Sequence, residues 1–335
     1  MVRLCSSLTK SSEANLESLT TNHTNHTKQH EKRNPEDLGL LPMTTATETT
    51  SIVFRDLKAI DEIKELEDLQ IEAWGDDERD IVPLNQFVAA RYVGGSLIGA
   101  FDGEKLVGFV YGFYGHIGGR IVHHSHMLAV RPGYRRHNLG FRLKAEQRER
   151  VLADRLTDRM TWTFDPLQSL NAHFNFAKLG VVSDVYKINV YGEEGASFLH
   201  RNGTDRLFVT WLLNSPRVQR LMSGQQGPEH DLADSRRSVS RLLHYSKSGH
   251  PEPEASVAAA LTGSPFVAIE IPADINAVEK ADFNLARKWR EETRRVFSQA
   301  LSEGYVVVDY SVENELSGYY ILEKAQIDQL SSYES

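Results

Sequence analysis

The chain has 335 residues, 40% hydrophobic and 25% charged, values of an ordinary globular protein able to bury a core and long enough for more than one domain. A formal net charge of −8 argues against nucleic acid or an anionic membrane as partner, so an anionic ligand must be held by a local cluster of donors. The single cysteine, Cys5, excludes an intramolecular disulfide and a cysteine-rich zinc site, and with no secretory signal and no bilayer-length apolar run the expected compartment is the cytoplasm.

Residues 1–50 are rich in Ser, Thr, Asn, His and Glu and poor in large apolar side chains. Such a segment cannot offset the entropy of ordering, and a disordered tail is expected. Its two Asn-His-Thr triplets, at Asn22 and Asn25, match glycosylation sequons but read as accidents of a polar tail; Met43 is an alternative start. From residue 51 the pattern predicts a short strand (51–57), a helix (60–74) with Ile60, Ile63, Leu66 and Leu69 at helical spacing, and a second helix (83–92) with Pro83 in its first turn. Three strands follow, at 96–101, 105–115 and 120–130, the first two joined through Asp102-Gly103-Glu104. A helix (139–156), a strand (159–164), a helix (168–179) and strands at 182–191 and 206–213 complete a mixed α/β unit, 51–215, around one sheet flanked by helices. The polar stretch 216–265 reads as a linker or loosely packed excursion. Strands at 266–272, 305–311 and 318–324, with a helix beginning at 274 or 281 and ending at 303, make a C-terminal β-α-β-β extension (266–325) expected to pack on the first unit. Phe283, Ala286, Trp289 and Val296 fall on one face of its helix, and Gly304 stands where a C-terminal cap belongs.

Chemistry concentrates in Val130-Arg131-Pro132-Gly133-Tyr134-Arg135-Arg136-His137-Asn138-Leu139-Gly140-Phe141-Arg142-Leu143. A strand ends at Val130 and an amphipathic helix starts near Leu139. The basic turn between them aims unpaired backbone N–H groups at one point, backed by the positive end of the helix dipole. That is a ready site for a pyrophosphate, with Arg135, Arg136 and Arg142 supplying charge. This segment resembles the cofactor motif of the GNAT superfamily, V-x-P-x-x-(Q/R)-x-x-G-x-(G/A), at Val130, Pro132, Arg135 and Gly140. Asn138 replaces the first motif glycine, and Asn is the non-glycine residue best suited to a left-handed conformation. A second resemblance lies downstream, where the family carries N-x-x-A-x-x-L-Y-x-x-x-G-F on a helix. Ala172 and Gly180 match, Ser169 stands for Asn, and Phe176 stands for the Tyr that commonly protonates the departing thiolate. The blocks His124-Ser125-His126-Met127, Trp162-Thr163-Phe164-Asp165-Pro166-Leu167, Asn171-Ala172-His173-Phe174-Asn175, Lys178-Leu179-Gly180 and Thr204-Asp205-Arg206-Leu207 look like an uncharacterised branch of that superfamily.

The resemblance, spanning about 51–213, implies a GNAT-like fold and acetyl-CoA or another acyl-CoA as donor substrate. It implies that Leu128 and Val130 offer backbone groups to the pantetheine, and that Arg135, Arg136, His137, Asn138, Leu139 and Gly140 hold the cofactor; Asn171, opening the next helix, is a candidate contact for cofactor or acceptor, with a solvent-facing position as its alternative. His124 and His126, two residues apart on one strand, share a face and are candidates to accept the amine's proton. Asp165 is a rival base, with turn formation or helix capping as its structural alternative. Asp205 and Arg206 enter the last strand where acceptors gather, and Arg206 suits an acceptor carboxylate; a loop brace is the alternative. His123, His124 and His126 lack a completing ligand, so no metal is expected. The leading function is acyl transfer from acyl-CoA to a small, amino-acid-like amine. A non-catalytic CoA-binding protein and a protein-lysine acetyltransferase are the rivals, and both a monomer and a homodimer are compatible with the sequence.

Overall fold

A computed structural model describes residues 51–74, 81–192, 202–224 and 239–331, with the backbone alone at Arg136. The tail expected at 1–50 lies outside the described residues. The elements run β1 (Val53–Asp56), α1 (Ile60–Trp74), α2 (Leu84–Tyr92), β2 (Ser96–Asp102), β3 (Lys105–Ile117) and β4 (Arg120–Val130), then α3 (Leu139–Asp154), β5 (Arg159–Phe164), α4 (Ser169–Ala172), β6 (Val182–Lys187) and β7 (Arg206–Leu212). A 3-10 segment, Pro132–His137, leads into α3, and α4 continues as a π-helical turn over His173–Lys178. There follow α5 (Pro216–Met222), β8 (Ser240–Tyr245), β9 (Pro251–Pro253), α6 (Val257–Leu261), β10 (Phe266–Pro272), α7 (Ile275–Ala281), α8 (Phe283–Ser302), β11 (Tyr305–Val312), β12 (Ser317–Lys324) and α9 (Ile327–Leu330).

All described strands join in one sheet of order β1-β2-β3-β4-β5-β7-β6-β11-β12-β10-β8-β9. Neighbours are antiparallel except β4 with β5 and β8 with β10. The parallel contact of β4 and β5 sets the architecture of the site. Only His123↔Met160 and His124↔Thr161 pair, although β4 runs on to Val130 and β5 to Phe164. Beyond His124 the two strands part and leave an angle in the sheet. A bulge adds to the divergence: Tyr111 of β3 faces Met127 and Gly112 faces Ser125, so His126 is the extra residue, and a bulge bends and twists its strand.

The stretch expected to be a linker, 216–265, contributes α5, β8, β9 and α6 where it is described, and β8 pairs with β10. Its polar composition hid them, because Leu242 and Leu243 alone of the short β8 are fully buried. Of the two starts expected for the C-terminal helix, 281 lies near the start of α8, and the stretch from 274 forms a separate helix, α7. Asp282 ends α7 and caps α8, its carboxylate accepting from the amides of Asn284 and Leu285 at 2.9 and 3.1 Å. Ala286, Trp289, Val296, Phe297 and Ala300 of α8 are fully buried in a core shared with Trp162, Phe164 and Phe176 of the first unit. Burial of side chains such as Trp289 and Phe297 contributes about 1.5–3 kcal/mol each, which fixes the extension on the sheet, and residues 49–335 cluster as one unit.

Candidate active site

The 3-10 segment closes on Asn138, whose φ of 54° and ψ of 24° are left-handed. A side chain with a second branch at Cβ would be strained there, whereas Asn is tolerated. The first i→i+4 bond of α3 runs from the Arg142 amide to the Asn138 carbonyl at 3.1 Å, and no side chain caps the helix. The first-turn amides therefore point out of the helix end with the dipole behind them. The turn's basic groups divide into those in use and those exposed. Arg131 donates to the Leu106 carbonyl and pairs with Glu72. Arg135 and His137 are exposed, and Arg135 makes only long contacts, 3.4 Å, to the Val130 and Ala73 carbonyls. The side chain of Arg136 lies outside the described atoms.

Behind the turn, a Cβ built on Gly140 would lie 3.6 Å from the Leu128 side chain and 3.8 Å from the Phe174 ring. The start of α3, the free end of β4 and the π-helical turn thus meet around one apolar wall, alongside the angle between β4 and β5. Asn171 sits exposed on α4. These residues fit an elongated ligand with an anionic head at the turn and a narrow arm between the strands.

On the opposite face of the sheet stand the two imidazoles. The rings of His124 and His126 lie 6.2 Å apart, and each packs on Phe113, at 5.7 and 5.8 Å. His124 also stacks on Phe208 and bonds Thr161 Oγ1 through Nδ1 at 3.1 Å. Burial, reinforced by the neighbouring His126, pushes His124 down to about 4, and burial lowers His126 as well. Both are neutral imidazoles at neutral pH, the form that accepts a proton.

Asp165 is not placed as a base. Its carboxylate grips Arg290 of α8 through two bonds of 2.7 Å and accepts from the Leu167 amide at 2.9 Å, so both oxygens are engaged in a brace between β5 and the C-terminal extension. Asp205 is consumed likewise. It is fully buried and accepts from Tyr186 Oη, the Asn189 amide and both Nε and Nη2 of Arg294. Arg206 is 8% exposed, donates to the Asp205 carbonyl at 2.8 Å and lies 5.2 Å from the Tyr191 ring. The pair braces a loop, which is the structural alternative the sequence offered. Phe176 is fully buried, edge-on to Phe164 and Tyr320. Among the described residues no group of three or more His, Cys, Asp or Glu is placed to hold a metal, and no described helix is long and apolar enough to cross a membrane. A cleft of about 480 Å³ beside the C-terminal half of α3 is lined by Lys58, Arg91, Gly94, Ser96, His123 and Arg150, among others. Neither Leu128 nor His126 borders it, and it lies at the other end of α3 from the turn.

Sequence reasoning missed a buried polar row on α3. Lys144 and Gln147 lie in the same stripe as Leu139, Leu143 and Val151, and that spacing of two polar residues within an apolar stripe was the available signal.

The sequence model of the Acetyltransferase (GNAT) family matches residues 60–180, which takes in α1, β4, the turn, α3 and the π-helical turn. A comparison with curated proteins gave no match. Among solved structures, the chain is similar to the ribosomal-protein-S18-alanine N-acetyltransferase of Escherichia coli (13% identity, 49% of this chain and 94% of that one, TM-score 0.39). It is also similar to a GNAT-family acetyltransferase of Streptococcus pneumoniae (16%, 49% and 99%, TM-score 0.39) and to one of Elizabethkingia anophelis solved with acetyl-CoA (14%, 48% and 98%, TM-score 0.39). With the matched segment coinciding with the splayed strands and the uncapped helix, the chain carries, in residues 60–180, an acetyltransferase domain of the GNAT family.

Proposed function

We propose that the chain transfers an acyl group from acyl-CoA to the primary amine of a small molecule, by direct attack of the amine on the thioester. The observation that carries this reading is the uncapped N-terminus of α3, headed by left-handed Asn138, at the mouth of the angle between β4 and β5. Such an end binds a pyrophosphate, and the free edge of β4 from Leu128 to Val130 offers backbone groups to an amide-bearing arm. Arg135, His137, Leu139 and Gly140 are the residues assigned to the donor, with Arg136 and Asn171 at its periphery. His124 and His126, neutral and held against Phe113 and Phe208, are assigned to the amine's proton.

A small acceptor is supported by the C-terminal extension. Arg290 bonds the Asn202 carbonyl as well as Asp165, and Arg294 bonds Asp205, so α8 is fastened to the loop that enters β7. That leaves less room for a protein partner on this side. An amino-acid-like acceptor does not draw support from Asp205 and Arg206, whose described contacts are internal. A non-catalytic CoA-binding role has one observation in its favour, the apolar burial of Phe176. The test is thiol release from acetyl-CoA and longer acyl-CoAs against a panel of free amines, amino acids and lysine peptides. Turnover with small amines and not peptides is expected. Silence with every donor despite CoA binding would select the non-catalytic role, and peptide turnover alone would select a protein substrate.

A further inference from the structure

Lys144 projects from α3 one turn beyond Gly140. It is 4% exposed, and among the described residues no carboxylate pairs with it. Its Nζ donates to Ser125 Oγ at 2.7 Å and stands 3.6 Å from the centroid of the Trp162 ring. Those two contacts locate it. The last pair of β4 and β5 is His124↔Thr161, so Ser125 and Trp162 are the first residue of each strand past the point of divergence. The amine therefore fills the apex of the angle from the α3 side.

The hydrogen bonds behind it run in one direction. Ser125 donates its hydroxyl proton to Gln147 Oε1 at 2.7 Å, and Gln147 Nε2 donates to Ser96 Oγ at 2.9 Å. The Ser96 hydroxyl is left for His123 Nε2 at 3.1 Å. This row orients the amine but brings no negative charge. A buried cation without a counter-charge is costly, and the surrounding stripe of Leu139, Leu143 and Val151 shows that an apolar side chain suits the location. Costly groups of this kind mark reacting centres.

Resting on the acyl-transfer reading, we propose that Lys144 is the proton donor to the thiolate that departs from the donor substrate. A ligand whose anionic head is held at the Asn138 turn and whose arm follows β4 inward from Val130 ends at the apex, where the strands rejoin. There the acceptor nitrogen bonds to the carbonyl carbon and the carbon–sulfur bond breaks. The sulfur keeps the electron pair and takes a proton from the Lys144 ammonium, while the attacking nitrogen loses one to His124 or His126. Solvent then returns a proton to the lysine and removes one from the imidazole. Phe176 has no proton to give. Burial lowers Lys144 well below the usual lysine value, which makes its ammonium a readier proton donor than that of an ordinary lysine. The titratable groups nearest it are His123 of β4, on the α3 side, and His124, across the sheet, both neutral through burial and both lowered further by the lysine's charge; Trp162 of β5 and Gln147 of α3 carry none.

The test compares the full chain with Lys144→Met, using free CoA in calorimetry and kcat against pH with acetyl-CoA and the amine that the wild type acylates. Expected are a CoA affinity within about threefold of wild type, a kcat lower by about 100-fold or more, and loss of the wild-type decline of kcat at high pH. A variant turning over within about threefold of wild type, or one that is slower but keeps that decline, overturns the proposal. If Lys144→Met does not fold, the wild-type profile decides: an acid acts only when protonated, so a kcat that stays level to about pH 10, the range of an ordinary lysine, excludes it. A wild type that binds no CoA or acylates no amine removes the acyl-transfer reading itself.

Discussion

Substituting Asn for Asp165 keeps the size of the side chain while removing the charge that faces Arg290. The two bonds to Arg290 are 2.7 Å each, with side-chain exposures of 5% for Arg290 and 19% for Asp165. Charge-assisted bonds are worth about 1.5–3 kcal/mol, and unpairing one member of a buried ion pair costs about 3–5 kcal/mol. Asn still accepts one bond from the guanidinium, which places the loss nearer 2–3 kcal/mol by the same reasoning. At roughly 2–4 °C per kcal/mol for a unit of this size, Tm falls by about 5–10 °C, and the urea midpoint falls without a change in slope. Arg290→Met is expected to destabilise similarly, and the double variant by much less than the sum, because the residues act as one brace. Acyl transfer by folded Asp165→Asn, assayed well below its Tm, stays within about threefold of wild type, since no catalytic proton passes through it. A variant with unchanged Tm and a kcat reduced about 100-fold would refute this reasoning and restore Asp165 as the base.

Replacement of His124 or His126 by Ala is expected to lower kcat by about 10²–10⁴-fold for whichever imidazole takes the proton, with CoA affinity retained in calorimetry. Because burial holds His123 at about 3 and His124 at about 4 in the folded protein, the unfolded chain binds more protons between those values and about 6.5. Their contribution is complete above 6.5 and is lost as pH falls, by up to about 1.4 kcal/mol per pH unit for each imidazole; urea midpoints at pH 7.5 and 5.5 check this. Asn138→Gly leaves stability and CoA affinity near wild type, whereas Asn138→Ala loses about 1–2 kcal/mol of stability to the left-handed backbone, read from urea melts. Phe176→Tyr places a hydroxyl in an apolar core and destabilises by about 1–3 kcal/mol without raising kcat.

The elements around the site were legible because strong periodicities coincide there. The alternation of 120–130, the turn and the amphipathic α3 are local signals, and Asn138 takes the left-handed conformation its identity suggested. The same locality explains the misses. Asp165 reads as a candidate base and Asp205 as a candidate acceptor contact because Arg290 and Arg294, which neutralise them, lie 125 and 89 residues away. Nothing short of tertiary structure brings α8 to the loop. The strands within 216–265 were hidden by polarity, and β8 gains its place only from β10. For the C-terminal helix the two starts left open, 274 and 281, fall close to the starts of the two helices, Ile275 and Phe283, and the cap at Asp282 separates them. Lys144 escaped for the opposite reason: a lysine on an amphipathic helix is expected to face solvent, and only the stripe's phase places it inside.

Acyl transfer by this chain depends on the turn before α3 and the free edge of β4 receiving an acyl-CoA. Amide hydrogen exchange of the full chain with and without acetyl-CoA reads this directly. Slowed exchange confined to peptides covering 126–143 and 171–178 is predicted, with α5 and the 480 Å³ cleft beside Ser96 unchanged. Unaltered exchange across 126–143 at saturating acetyl-CoA, or protection centred on that cleft instead, would contradict it.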